Sequence, residues 1–189
     1  MESNMKFEIS PSHVAVLVPS VQKAADYLRQ FDYQIGEEEV FEETREIYVQ
    51  GSRRNSLLLM EAKETGSYQR ALKKRGPGIH HLAIDVLNIE KFLSSLSGSG
   101  WLLHLYSLKS IKDSKTAYLA RPGFPALIEV QEKKKLSDGP LFVDGITLKF
   151  DSSLASLVKS VGLDEIVKPS KVNSGLTIQG RSIELSSLF

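Results

Sequence analysis

The chain has 189 residues, 41% hydrophobic and 25% charged, which is enough apolar material for one substantial interior and too little length for a large multidomain assembly. With 24 Lys+Arg against 23 Asp+Glu the formal charge is +1, so a nucleic-acid surface would need local clustering, and only short runs exist at Arg53-Arg54, Lys73-Lys74-Arg75 and Lys133-Lys134-Lys135. Cysteine is absent, which excludes disulfides, thiol nucleophiles and thiolate metal sites and leaves any metal to histidine and carboxylate.

Met1–Ser10 has neither an apolar signal core nor a basic amphipathic pattern, and no stretch approaches the roughly eighteen apolar residues of a membrane span. A cytoplasmic protein with no membrane or nucleic-acid partner is expected. Ser12–Pro19 then reads as a strand, a short β-branched run closed by proline. Val21–Phe31 follows as a helix with Ala24, Ala25, Leu28 and Phe31 on one face. Strands are expected at Glu37–Val40, Glu46–Val49 and Leu57–Met60, and a short helix at Ser67–Lys74, stopped by Gly76-Pro77-Gly78.

The pattern then starts again. Ile79–Val86 repeats the first strand, Ile89–Leu96 the helix, and Leu102–Leu105, Thr116–Ala120 and Leu127–Val130 the later strands. The order β-α-β-β-β occurs twice, at about residues 10–62 and 78–132, and units this small bury a sheet face only by pairing. Past the polar connection Lys133–Pro140, a strand at Val143–Phe150, a helix at Ser153–Val161 and a hairpin of Gly175–Gln179 with Arg181–Leu185 suggest a partial third module. This extension, residues 133–189, is expected to pack on the 1–132 core and to cover a sheet edge or extend a dimer surface. Its Glu184 resembles a terminal-strand glutamate only superficially, because the strand near Val143 has no histidine partner.

The repeat and its motifs resemble the vicinal oxygen chelate superfamily, which includes glyoxalase I, extradiol dioxygenases, antibiotic-resistance proteins and methylmalonyl-CoA epimerase. The similarity is greatest to the epimerase branch and covers about residues 12–132. It is carried by His13-Val14-Ala15, Arg45-Glu46-Ile47, the helical segment leading into Gly78-Ile79-His80-His81-Leu82-Ala83, and Leu127-Ile128-Glu129-Val130. The resemblance implies an α+β fold in which paired βαβββ modules curl into a cup of mixed sheet around one divalent ion. It assigns ligation to His13, His81 and Glu129, and it matches Glu46 to the catalytic carboxylate.

Strand alternation agrees with the ligand set. It puts His13, Ala15 and Leu17 on one face, and His81, Ala83 and Asp85 on the equivalent face of the second module. Glu129 interrupts an apolar strand, and two imidazoles with a carboxylate suit cobalt, manganese, zinc or iron. Alternation also gives adjacent His80 and His81 opposite directions, so His81 is the ligand candidate and His80 a hydrogen-bonded or surface histidine. His104 is expected to be a buried, satisfied histidine or a substrate contact. The fourth family position falls by motif on Leu58, which has no donor atom. Distance counting instead points to Glu61, because His13 to Glu61 and His81 to Glu129 are both 48 residues. The two choices have opposite strand parity, and the motif-based one is preferred, with Leu58 in the cup and Glu61 near the strand end.

The implied chemistry is epimerisation or isomerisation of a methylmalonyl-CoA-like thioester through an enolate. Glu46 is one acid/base group, and Glu129 combines ligation with the second. The alternatives are an Fe(II) extradiol-type dioxygenase on the two-His, one-Glu set and a non-catalytic small-molecule-binding protein with a degenerate site. The basic runs are solvated loops or contacts to a coenzyme A phosphate, and a homodimer is expected because the family often forms one.

Overall fold

The computed structural model describes residues 8–189. In chain order its first module is β1 (Ile9–Val18), α1 (Val21–Arg29), β2 (Gln34–Val40), β3 (Thr44–Gln50) and β4 (Ser56–Ala62), followed by the linking helix α2 (Ser67–Arg75). The second is β5 (Gly78–Val86), α3 (Ile89–Ser95), the two-residue β6 (Leu102–Leu103), α4 (Ser107–Asp113), β7 (Thr116–Ala120) and β8 (Leu127–Glu132). The extension supplies β9 (Val143–Lys149), a 3-10 turn (Ser152–Leu154), α5 (Ala155–Ser160), β10 (Val167–Ser170), β11 (Gly175–Ile178), β12 (Arg181–Glu184) and a final 3-10 turn (Leu185–Leu188). Helix α4 and strand β10 have short, weakly patterned sequences and are the elements the sequence pattern misses.

The two modules form one mixed sheet in the order β2-β3-β4-β1-β5-β8-β7-β6, which stays open rather than closing into a barrel. Within each module the last strand runs parallel to the first, β4 beside β1 and β8 beside β5, and the modules join antiparallel through β1 and β5. The crossover helices cover one face. Val14, Val16 and Val18 pack there with Val21, Ala24, Ala25 and Leu28 of α1, and Leu82, Ile84 and Val86 with Ile89 and Phe92 of α3. At about 25 cal/mol per Å² of apolar surface removed from water, this face is the main source of stability.

Both helices start by the same device. Ser20 Oγ caps α1 by accepting from Lys23 N at 3.4 Å, and Asn88 Oδ1 caps α3 by accepting from Lys91 N at 2.8 Å. The carboxylates of Glu61 and Glu132 add a second cap, accepting at 2.9 Å from Val21 N and Ile89 N respectively. A carboxylate there also complements the positive end of the helix dipole.

The extension folds as a separate four-stranded sheet in the order β10-β9-β11-β12. Its β-α-β-β-β order copies a module, but its wiring is its own. The first strand, β9, lies inside the sheet, beside the strand that follows its helix, whereas in the modules the first strand pairs with the last. Gln179 and Gly180 at φ 49° and 79° form the two-residue turn between β11 and β12, the mirror-image turn that matches strand twist.

The extension lies over the helical face, not along an edge, since β2 and β6 remain the ends of the large sheet. Phe142, Val143, Ile146, Leu148, Leu157 and Ile178 join the same apolar cluster as α1 and α3. Polar clasps fix it: Asn55 Oδ1 accepts from Phe142 N and Val143 N at 2.9 Å, while its Nδ2 donates to Val143 O at 3.0 Å. Arg54, one of the short basic runs, donates to Ser10 Oγ at 2.9 Å and to Ser137 O at 3.3 Å, so its charge serves the docking. Trp101 Nε1 reaches Leu157 O at 3.2 Å and Ser160 Oγ at 3.1 Å. Among the described residues, no helix is long and apolar enough to cross a membrane.

Candidate metal centre

The face of the large sheet opposite the helices carries the chemistry. His13 pairs with Ala83 and His81 with Ala15 across the central β1/β5 seam, so the two imidazoles sit diagonally on neighbouring strands. Glu129 lies beside Ala83 on β8. These placements bring His13, His81 and Glu129, all buried, into one cluster whose ligand atoms lie within 4.8 Å of one another. The two Nε2 atoms are 3.1 Å apart, and Glu129 Oε2 lies 3.1 Å from that of His81 and 3.5 Å from that of His13.

Two β-bulges shape this seam. Between Pro11 and His13 the extra residue is Ser12, and between Ile79 and His81 it is His80, so each bulge immediately precedes a cluster histidine. A bulge bends the strand and re-aims the side chains around it. Strict alternation therefore fails for the His80-His81 pair. His80 Nδ1 lies 3.0 Å from His81 Nδ1, and the His80 ring meets Tyr68, an inner-face residue, at 5.0 Å. The opposite directions expected for the two histidines are corrected by this inserted residue, whose effect depends on the partner strand.

Glu129 is anchored by its other oxygen. Oε1 accepts from Tyr118 Oη at 3.1 Å and from Gln131 Nε2 at 2.9 Å, leaving Oε2 to face the imidazoles. Burial alone would raise the pKa of Glu129, but the contacts to His13 and His81 outweigh it and hold the carboxyl well below the usual range. Burial lowers that of His81 against the opposing pull of Glu129, which favours the neutral ring. Burial pushes the phenols of Tyr48 and Tyr68 up to about 12, with Glu46 and Glu129 adding to it, and pushes Tyr118 up as well, so all three remain donors. His80 is pushed down to about 3, by burial first and then by His81 and Arg75.

Among the described residues Glu129 has no Lys or Arg in ion-pair contact, and a buried carboxylate beside two imidazoles is an arrangement that asks for a cation. The donor set of two nitrogens and an oxygen is capable of chelating a divalent metal, and it fits borderline ions such as zinc, cobalt, manganese or iron.

The fourth position is settled by the register. Ala15 pairs with Leu58 as Ala83 pairs with Glu129, so Leu58 is the internal counterpart of Glu129. Leu58 is 3% exposed and packs with Ala15, Leu17 and Met60 under Tyr68, Ala71 and Leu72 from the side of α2. Glu61 is the counterpart of Glu132, on the helical side, where it caps α1. The matching spacing of 48 residues misleads because the second module places its last strand three residues farther from its first than the first module does.

Glu46 pairs with Met60 and Tyr48 with Leu58, which puts both on the inner face. Glu46 is half-buried, accepts from Thr44 Oγ1 at 2.7 Å, and exerts its field on His81, Tyr68 and Tyr118. The residues that sequence reasoning missed are the three tyrosines: Tyr48 meets the His13 ring at 6.0 Å and Tyr118 the His81 ring at 6.2 Å. For Tyr48 the available signal was its odd-even alignment with Glu46 on β3; Tyr118 comes beside Glu129 only through the pairing of β7 with β8, and Tyr68 lies on α2. His104 is half-buried and stacks on exposed Tyr106 at 5.4 Å. Glu184 is exposed on the last strand of the extension and is not one of the three residues of the cluster.

The fold is shared with known structures. A hypothetical protein from Bacillus halodurans is 20% identical, covering 70% of this chain and 99% of its own, with a TM-score of 0.57. Methylmalonyl-CoA epimerase from Mycobacterium tuberculosis is 23% identical over 65% of this chain and 87% of its own, with a TM-score of 0.52. A Streptomyces coelicolor methylmalonyl-CoA epimerase variant in complex with 2-nitronate-propionyl-CoA is 13% identical over 67% and 100%, with a TM-score of 0.52. No curated protein is a significant match. The family model described as Glyoxalase/Bleomycin resistance protein/Dioxygenase superfamily matches residues 12–117, more than half of the chain, and with the paired modules and the His/His/Glu cluster on the page the chain belongs to that superfamily.

Proposed function

We propose that the protein is a divalent-metal-dependent epimerase or isomerase acting on a methylmalonyl-CoA-like thioester in the cytoplasm, with His13, His81 and Glu129 as ligands and Glu46 as a catalytic base. The observation that carries this reading is Glu46: a carboxylate without a bonded cation among the described residues, on the same sheet face as the cluster and within electrostatic reach of His81. When bound, a divalent ion supplies a Lewis acid that draws negative charge onto the carbonyl oxygen of the thioester and makes the neighbouring carbon acidic. Glu46 then takes the α-proton from its side of the face. The phenols of Tyr48, Tyr68 and Tyr118, kept protonated, offer hydrogen bonds to the substrate's oxygens and exclude water from the apolar half around Leu58. Inversion needs a proton returned to the opposite face of the carbon, the second acid/base role that Glu129 combines with ligation in this reading.

The test is solvent-deuterium exchange at the α-carbon of methylmalonyl-CoA, followed by NMR, alongside metal content. Glu46→Gln should retain the metal and lose exchange by about two to four orders of magnitude. Full exchange in that variant removes Glu46 from the mechanism, and no exchange in the loaded parent protein removes the epimerase. A homodimer is part of the same proposal and is read by light scattering.

Leu58 favours a second reading. An apolar fourth position leaves two histidines and one glutamate, the set that suits Fe(II) and oxygen activation. Oxygen uptake with an aromatic diol after anaerobic Fe(II) loading, together with absent deuterium exchange, selects this dioxygenase reading.

A further inference from the structure

The extension builds a cavity that the paired modules do not make alone. Its volume is ≈ 620 Å³, within the roughly 300–1,000 Å³ of small-molecule sites. One wall comes from the modules, with Leu17, Ile79 and Pro125, and the other from the extension, with Leu148, Leu185 and Phe189. The similar structures above cover 65–70% of this chain while covering 87–100% of their own, so a third of this chain has no counterpart in them. None of His13, His81 or Glu129 lines this space; His80 stands between it and the cluster, with one side on the cavity and Nδ1 towards His81.

The charge in the wall is specific. Arg75, last residue of α2, lines the cavity, and its guanidinium makes one long contact, Nη1 to Pro125 O at 3.5 Å. Among the described residues it has no carboxylate partner within 4.0 Å, and Glu184 in the opposite wall is not paired with it. An arginine carries five donors in a planar fork that matches a carboxylate or phosphate. The wall is mixed, with Asn173, Ser174 and Ser186 among the apolar side chains, and one such fork in it selects a molecule with an apolar body and a single anionic group.

We propose that this junction cavity is a binding site for an amphipathic monoanion, its apolar body between the modules and the extension and its anionic group on Arg75. The site gives residues 133–189 a task besides covering the helical face. It does not rest on the chemistry proposed for the metal cluster.

The test uses decanoate, with 1-decanol as the uncharged comparison, titrated into the full chain and followed by calorimetry and amide NMR. Decanoate should bind with one-to-one stoichiometry, about tenfold or more tighter than decanol, with shifts at Ile79, Ser174 and Leu185. Arg75→Ala should bring the two ligands to equal affinity. Ser174→Trp, which places a large ring in the wall, should abolish binding of both, and Ser186→Trp serves where Ser174→Trp fails to fold. His13→Ala and a chelator should leave decanoate affinity unchanged. The proposal is overturned by non-saturable binding, by unchanged affinity in Arg75→Ala or in a folded tryptophan variant, or by loss of binding with His13→Ala, which moves the ligand to the cluster.

Discussion

Replacing Leu58 by glutamate tests the register on which the centre is built. Leu58 is 3% exposed, surrounded by Ala15, Leu17 and Met60 with Tyr68, Ala71 and Leu72 above them, so a carboxylate there is buried in apolar surroundings. Burying an ionised group without a partner costs several kcal/mol, and about 3 kcal/mol is a conservative figure after relaxation. For a chain of this length each kcal/mol shifts Tm by about 2–4 °C, so Leu58→Glu should melt about 6–12 °C below the parent protein in chelator. The position mirrors Glu129, so the new carboxylate can also complete a four-ligand set. Saturating zinc or manganese at about 100 times Kd adds about 2.7 kcal/mol, and each further tenfold in affinity about 1.4 kcal/mol. The metal-induced rise in Tm should therefore be larger in the variant than in the parent. Thermal melts with chelator and with added ion read both quantities. A variant that melts within 2 °C of the parent in chelator would falsify the placement of Leu58 in a dry inner face, whatever the metal does.

Glu61→Ala should cost about 1 kcal/mol through loss of the bond to Val21 N while leaving metal content unchanged; a fall in metal content returns Glu61 to the ligand set. His13→Ala should lower bound metal from one equivalent to a small fraction, measured by elemental analysis, and retained stoichiometric metal removes His13 as a ligand. Asp85 is buried with Oδ1 unpartnered among the described residues, and burial raises its pKa above the ordinary 3.8 against the opposing Lys133 and Ser12. Folding then takes up a proton in the window just above that value, so stability falls as pH rises through it. Asp85→Asn should remove that fall and raise Tm at neutral pH with little change near pH 3; an unchanged pH profile refutes the assignment. Truncation after Glu132 strips the cover from α1 and α3 and exposes Trp101, the chain's single tryptophan, so an aggregated product or a red-shifted emission is expected. A soluble truncated protein with unchanged emission rejects 133–189 as a structural cover.

Much of the centre is legible in the sequence. His13, His81 and Glu129 stand out because each is a polar residue within an apolar, strand-like run, and the internal repeat relates the two histidines before any coordinates exist. The repeat likewise implies paired modules, since one βαβββ unit leaves a sheet face uncovered. Periodicity and capping are local properties of the chain, so helices α1 and α3 are found with boundaries close to those observed.

Tertiary structure decided what depends on a partner strand. Alternation predicts opposite directions for His80 and His81, and only the pairing of β5 with β1 reveals the inserted residue that turns His80 toward the inner face. Counting points to Glu61 and motif matching, the preferred choice, to Leu58, and the strand register and the Val21 bond put Leu58 inside and Glu61 on a helix cap. The tail's β-α-β-β-β order looks like a module, yet its strand order and its packing on the helical face follow from contacts between residues more than a hundred positions apart, such as Tyr33 Oη with Ile178 O. Local sequence sets which side chains alternate and where helices begin; register, bulges and the cavity at Arg75 are set by which strands and layers meet, and that is a property of the folded chain as a whole.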